Sequence, residues 1–195
     1  SHDLRTPLTR MKLQLEMLDN KEAKNGLTVD VNQMEQMIEE YLSFIKEKKS
    51  DIITEIDLAK LIGDIIIDAQ RNDDKILPKL IENVETKGRE SDLRRAITNL
   101  TSNACRESNN VEISLIKKDK NALIIIDDDG PGIKKEDYAK VFKAFYRIEN
   151  SRNLSTGGTG LGLTIARDIA RSHGGEIKLE KSSLGGLKAI LIIPI

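Results

Sequence analysis

Val111-Glu112-Ile113-Ser114-Leu115-Ile116, the polar turn Lys117 to Asn121, then Ala122-Leu123-Ile124-Ile125-Ile126-Asp127 running on into Asp128-Asp129-Gly130-Pro131-Gly132-Ile133 is the stretch that decides the fold class. Apolar runs on both sides of a polar turn read as two strands, Val111 to Ile116 and Ala122 to Asp127. Upstream of them, Ile52 to Ile56 reads as a short strand. Leu58 to Ala69 reads as a helix with Leu58, Leu61, Ile62, Ile65 and Ile66 on one face, and Asp92 to Cys105 as a second helix. Downstream, Thr164 to His173 is helical and closed by Gly174-Gly175, and Glu176 to Glu180 and Leu187 to Ile193 complete the strands. Hairpin-like strand pairs mixed with helices, without regular βαβ units, predict an α+β class. The expected architecture is a two-layer α/β sandwich, one mixed sheet with helices on one face.

Nearer the N-terminus the periodicity changes. From Leu4 to Leu18 apolar residues fall at Leu4, Leu8, Met11, Leu15 and Leu18; after the polar stretch Asp19 to Gly26 they fall at Val31, Met34, Ile38, Tyr41 and Ile45. Alternating steps of three and four make one stripe per helix, a coiled-coil-like seam. Two such helices joined by a short turn form a hairpin whose single stripes bury too little to stand alone, and two hairpins complete a four-helix bundle. A homodimer through this hairpin is therefore expected. The charged stretch Lys46 to Asp51 reads as a linker, which divides the chain into residues 1–50 and 51–195.

Composition removes several classes of function. Basic and acidic residues number 31 and 32 and are spread along the chain, giving a net charge of -1, so the footprint of a nucleic-acid binder or a polybasic membrane protein is missing. The single cysteine, Cys105, excludes an intrachain disulfide or a multi-thiolate zinc site and fits a reducing compartment. No apolar run approaches the roughly 18 residues of a membrane span. The helical reading begins at Ser1 itself, so the chain is expected to continue upstream.

Four groups of residues carry chemistry. Thr156-Gly157-Gly158-Thr159-Gly160-Leu161-Gly162-Leu163 directly precedes a helix. Glycine-rich backbone opening a helix offers free N–H groups and the positive end of the helix dipole, a phosphate cradle; a flexible loop is the plainer alternative. The spacing matches neither a P-loop nor a dinucleotide fingerprint. Asp128, at the end of an apolar strand and followed by Gly130 and Gly132, can accept a hydrogen bond from an exocyclic amino group on a flat ring. The alternating acids of a calcium loop are lacking there. Asn99 and Asn103 lie four apart on one helix face with Arg106 beyond them, suited to Mg²⁺ and a phosphate, though equally to a solvated surface. His2, Asp3 and Thr6 lie just off the Leu4/Leu8 seam beside Pro7, which loosens the helix; a neutral imidazole oriented by a carboxylate can attack a phosphoryl group.

In this order the pieces resemble the sensor histidine kinases of two-component signalling. Ser1 to Arg10 resembles the H box, Asn99-Leu100-Thr101-Ser102-Asn103-Ala104 the N box, and Asp128 to Ile133 the first glycine box. Val141-Phe142-Lys143-Ala144-Phe145-Tyr146-Arg147 resembles the F box and Gly158-Thr159-Gly160-Leu161-Gly162-Leu163 the second glycine box. The resemblance implies a dimerisation and phosphotransfer hairpin followed by a Bergerat-type ATP-binding domain. His2 would be the phosphoacceptor, Asp3 its acidic partner, and Thr6 the residue that places water for dephosphorylation of the response regulator. Asn103 with Asn99 would hold Mg²⁺, Arg106 a phosphate, and Asp128 the adenine amino group, with Gly130, Gly132 and Ile133 around the base. Gly158, Thr159, Gly160, Leu161 and Gly162 would surround the phosphates, while Arg147 or Arg152, in a lid spanning Lys134 to Gly157, would steady the transferring group. Also implied are a receiver-domain partner and a cytoplasmic location, the bacterial inner membrane being reached only through upstream segments.

One position departs from the family pattern. Glu107 stands where an aromatic residue commonly covers the adenine. Two other readings follow from the same boxes. An ATPase like gyrase, Hsp90 or MutL commonly carries a water-activating Glu where this chain has Asn99, which cannot act as a base. A degenerate scaffold would have no physical need for His2, both asparagines and the glycine loop together.

Overall fold

The computed structural model describes residues 2–17, 20, 24–32, 34, 35, 37, 38, 52–72, 74–148 and 159–195, with backbone alone for residues 2–6. It separates into two compact units, Ser1–Ser50 and Asp51–Ile195.

In the first unit α1 (His2–Glu16) carries Pro7 in its first half, and residues 24–32 form α2. Leu8 and Leu15 of α1 pack with Val31 of α2, and Ile38 lies against them. Lys12 Nζ reaches Glu35 Oε2 at 2.6 Å across the pair. Four of the expected seam residues are thus paired within one hairpin. Met11 and Met34, also assigned to it by spacing, are 41% and 45% exposed. Gly26, read as the end of the turn, lies inside α2, which is already helical at Lys24. Tyr41, Ile45 and the linker Lys46 to Asp51 lie outside the described residues.

The second unit runs β1 (Thr54–Asp57), α3 (Leu58–Gln70), β2 (Ile76–Ile81), β3 (Glu85–Gly88), α4 (Glu90–Glu107), β4 (Val111–Lys118), β5 (Asn121–Asp128), α5 (Gly162–Ser172), β6 (Glu176–Lys181) and β7 (Leu187–Pro194). Two 3-10 turns, Lys135–Asp137 and Lys140–Phe142, follow β5. Five strands form a mixed sheet in the order β2-β4-β5-β7-β6, parallel only between β2 and β4, and β1 pairs with β3 in a separate antiparallel ribbon. Strand β1 starts later than Ile52, and Ile52 and Ile53 are 81% and 64% exposed ahead of it.

Alternation explains the layers. Val111, Ile113 and Leu115 of β4, Ala122, Ile124 and Ile126 of β5, and Leu187, Ala189, Leu191 and Ile193 of β7 are buried on one face. Against them lie the apolar faces of α3 (Leu58, Leu61, Ile62, Ile65, Ile66), α4 (Leu93, Ala96, Ile97, Leu100) and α5 (Ile165, Ala166, Ile169). Asp57 starts α3 by accepting the Lys60 N–H at 3.0 Å, an N-cap that cuts β1 off from the helix.

His173 closes α5 with both ring nitrogens engaged. Nδ1 lies 2.9 Å from the Ile169 carbonyl, and Nε2 accepts the Arg89 N–H at 3.1 Å. With its proton on Nδ1 the ring joins the end of α5 to the residue that precedes α4. Arg89 Nη2 adds a bond to Ser172 Oγ at 2.9 Å, and Arg89 Nε one to Asp92 Oδ2 at 2.6 Å.

The two faces of β5 predict unequal mutational costs. Ile124 is fully buried under the helices, whereas its neighbour Ile125 points to the opposite, partly exposed face. Urea unfolding of Ile124→Ala should show a loss of about 3–4 kcal/mol, and of Ile125→Ala roughly 1 kcal/mol.

Candidate nucleotide site

Strand β5 ends in three consecutive carboxylates, and the fold gives each a different task. Asp127 is 6% exposed, accepts Ser182 Oγ–H at 2.9 Å and faces Lys188 across the β5–β7 pair. Asp129 turns to the loop after α4: Oδ1 accepts the N–H groups of Asn109 and Asn110, and Oδ2 the Asn110 side-chain amide at 2.6 Å. The Asn110 amide holds the Asp129 carboxyl below the usual carboxylate range.

Asp128, 5% exposed, lies on the helix face of the sheet. Its Oδ1 accepts the N–H groups of Gly130 at 2.9 Å and Leu187 at 3.0 Å, and among the described residues no donor meets Oδ2. Burial pushes this carboxyl above the ordinary range, and the Leu187 and Gly130 bonds pull the other way. The surrounding backbone closes so tightly that only glycine fits. A Cβ on Gly186 would stand 2.1 Å from Asp128 Oδ1, and one on Gly130 2.6 Å from the Glu107 carbonyl oxygen. Glu107 itself is exposed at the end of α4.

The second half of the site lies along α4. Asn99 and Asn103 are half-buried on one face, and Arg106 is exposed in the last turn. Gly162, first residue of α5, faces Asn99: a Cβ there would meet Asn99 Cβ at 3.8 Å. Asn99 Nδ2 is buried with no hydrogen-bond partner among the described residues. A half-turn of the amide exchanges it for Oδ1, so this position offers an N–H to a phosphate oxygen or an oxygen to a cation. Thr159 is buried with Oγ1 3.4 Å from Leu161 N, and Gly160 has φ +73°. From Asn99 to Glu107 the helix advances about 12 Å, the reach of a nucleotide from base to phosphates. The orphaned Asn99 amide and the open Asp128 oxygen fit such a ligand with a divalent cation.

The structure brings Asp128 together with Gly130 and Asn99 with Gly162. Gly132 (φ +68°) lies beside the Gly186 backbone, and Ile133 and Arg147 are half-buried, Arg147 with an interaction partner of its own. The side chains of His2, Asp3 and Thr6 lie outside the described residues, as do Arg152 and Gly158. Sequence reading missed Gly186, Leu187 and Asn110. The Gly185-Gly186 pair between two strand patterns was the available signal, but it marks a turn, not its contact with Asp128. Cys105, on the same helix, has its thiol pushed up to about 11 by burial, so it carries no thiolate reactivity at neutral pH.

Two variants test this geometry. In Asp128→Asn, Oδ1 keeps both backbone bonds while a donor replaces the open acceptor. ATP affinity measured by calorimetry should fall about 10- to 100-fold. A carboxyl whose folded pKa is raised opposes folding once ionised, so its cost is absent at low pH and grows as pH rises through the folded value. The same variant should therefore be at least as stable as the parent at neutral pH, with a flatter decline in stability above roughly pH 4. Gly186→Ala should abolish nucleotide binding, because Asp128 must shift to admit the methyl group.

Comparison with known proteins gives the family. Residues 88–195 match the histidine kinase-, DNA gyrase B- and HSP90-like ATPase family, and residues 1–49 match the His kinase A (phospho-acceptor) domain. The sensor protein RstB of Escherichia coli (strain K12) is 36% identical over 197 residues, covering 96% of this chain and 46% of RstB. The ATP-binding domain of PrrB from Mycobacterium tuberculosis matches at TM-score 0.62 and 27% identity, over 74% of this chain and 98% of that one. The histidine kinase domain of the E. coli osmosensor EnvZ matches at TM-score 0.58 and 30% identity, over 75% and 92%. The chain spans less than half the length of the curated relatives it matches. A Bergerat-type sheet-and-helix domain that follows a phospho-acceptor hairpin places the chain among the sensor histidine kinases of two-component signalling, the family to which it belongs.

Proposed function

We infer that the chain is the catalytic core of its kinase: it binds ATP in residues 51–195, phosphorylates His2 in the hairpin of residues 1–50, and passes the phosphoryl group to an aspartate of a response-regulator receiver domain. The observation that carries this reading is Asp128, one oxygen locked by two backbone N–H groups and the other open, in a chain that also matches a phospho-acceptor hairpin. ATP supplies the γ-phosphoryl group, and Mg²⁺, held by Asn103 with Asn99, supplies charge to offset the phosphates.

Residues of the chain do the rest by positioning. Asp128 Oδ2 takes the adenine amino group, with Gly130, Gly132 and Ile133 admitting the base. The N–H groups of Thr159, Gly160, Leu161 and Gly162, with Gly158 ahead of them, surround the phosphates at the positive end of α5. Arg106 and either Arg147 or Arg152 offset phosphate charge. His2 attacks through one ring nitrogen while Asp3 holds the proton on the other. The phosphorus–oxygen bond to ADP breaks as the bond to the imidazole forms. That linkage is labile enough to pass on, and Thr6 is suited to place the water that hydrolyses the regulator's acyl phosphate.

Dimerisation through the hairpin is supported by apolar surface that one hairpin leaves uncovered: Leu13 at 65%, Met17 at 83%, Leu27 at 47% and Val29 at 45% exposed, besides Met11 and Met34. A second copy supplies the missing half of a four-helix bundle. No helix among the described residues is long and apolar enough to cross a membrane. Location in the cytoplasm below an inner-membrane sensor is the reading that the relatives support.

Incubation with γ-labelled ATP and Mg²⁺ should label the protein with acid-labile, base-stable phosphate. His2→Ala should lose the label and keep ATP binding; label retained in that variant would falsify the assignment. Thr6→Ala should keep autophosphorylation and slow regulator dephosphorylation at least about tenfold, read from the decay of labelled regulator.

A further inference from the structure

Phe142 ends the second 3-10 turn, 7% exposed, with the Arg167 guanidinium over its ring at 4.8 Å from Cζ to the centroid. Its carbonyl accepts two side-chain bonds from α5, Thr164 Oγ1–H at 3.0 Å and Arg167 Nη2–H at 2.9 Å. Thr164 and Arg167 are three residues apart and so stand one above the other on a single helix face. Farther along, the Phe145 N–H donates to the Gly160 carbonyl at 3.0 Å. The segment from Phe142 to Phe145 is therefore bonded at both ends to the segment from Gly160 to Arg167.

The Phe145 end is strained. Phe145 has φ +64° and Gly160 φ +73°, and a Cβ on Gly160 would meet Phe145 Cα and C at 3.0 Å. A phenylalanine stays in the left-handed region only where its surroundings over-determine it. Burial does not do so here, since Phe145 is 58% exposed. What holds it is the turn closed by the Tyr146 N–H on the Lys143 carbonyl at 3.1 Å, the backbone bond to Gly160 and the anchorage of the preceding turn at Phe142.

We propose that Arg167 is a positioning residue for nucleotide binding. With Thr164 it latches the Phe142 carbonyl to α5; the latch keeps Phe145 seated on Gly160, and this holds the backbone from Thr159 to Gly162 in the shape that receives phosphates. The role rests on the nucleotide reading of the site above. Arg167 Nε is buried with no partner, a cost to the fold that a purely stabilising side chain would not carry. An apolar side chain of similar length removes that cost together with the latch, which separates the two roles experimentally.

The test compares Arg167→Met and Arg167→Lys with the parent in the full chain by thermal unfolding, amide hydrogen exchange and calorimetric binding of ATP with Mg²⁺. Arg167→Met should keep its Tm while the Phe145 amide exchanges about tenfold faster and the amides of α4 and β5 keep their rates. ATP affinity should fall about three- to tenfold, and Arg167→Lys, which retains a cation and a donor, should recover most of both effects. Unchanged exchange at Phe145 in Arg167→Met overturns the latch. Faster exchange there with unaltered ATP affinity overturns its link to binding, and faster exchange throughout reduces Arg167 to a stability residue and overturns the proposal as well. Should the parent itself bind no ATP, the nucleotide reading fails, while the exchange comparison still decides the latch.

Discussion

Two backbone N–H groups, from Gly130 and Leu187, converge on one oxygen of a carboxylate buried at the end of the central strand. Much else in the second unit follows from accommodating that arrangement. An ionisable group under the helices must be compensated, and only main-chain donors brought very close can do so without filling the space a ligand needs. Close approach removes every side chain from the approaching backbone, hence glycine at 130 and 186. The Leu187 donor requires β7 to lie beside β5, which sets the sheet order that brings the last strand to an interior position. One oxygen is held by the protein and the other is left open.

The three acids in succession show how one sheet sorts identical side chains. Alternation puts Asp127 on the face away from the helices, where Ser182 and Lys188 answer it. Asp128 falls on the helix face, and Asp129, beyond the strand, bends back to close the α4–β4 loop. A string of like charges that reads as one acidic cluster is in fact three separate electrostatic problems. Each is solved by different donors, and only Asp128 keeps its open oxygen on the helix face.

The parts of the fold legible from residue order were those made by neighbours in the chain. The pair Val111 to Asp127, the apolar face of α3 and the glycine run opening α5 each declare themselves by local periodicity or by a turn. Strands β2 and β3 did not. Strand β2 carries Pro78 and Lys79 on an edge, its register slips between Pro78 and Leu80, and it pairs in parallel with a strand more than thirty residues away. Nothing local marks such a partner. In the site, Asp128, Asn99 and Gly162 were visible because helix spacing and strand ends are local features, whereas Gly186 and Leu187 enter through a pairing across sixty residues. Nor does anything near His173 in the chain mark the Arg89 N–H that meets its Nε2.

The interior place of β7 has a consequence for the order of events during synthesis. Residues from Val111 to Asp128 can zip into a hairpin as soon as they are made, but the ligand-facing carboxylate stays half-built until the chain has delivered Leu187 and its strand has inserted between β5 and β6. A nascent chain stalled just before that point includes every helix of the second unit and all its strands but β7, yet lacks the Leu187 N–H on Asp128. The carboxylate thus gains its second backbone bond in one step, when the segment around Leu187 has been made, however much of the fold is already in place.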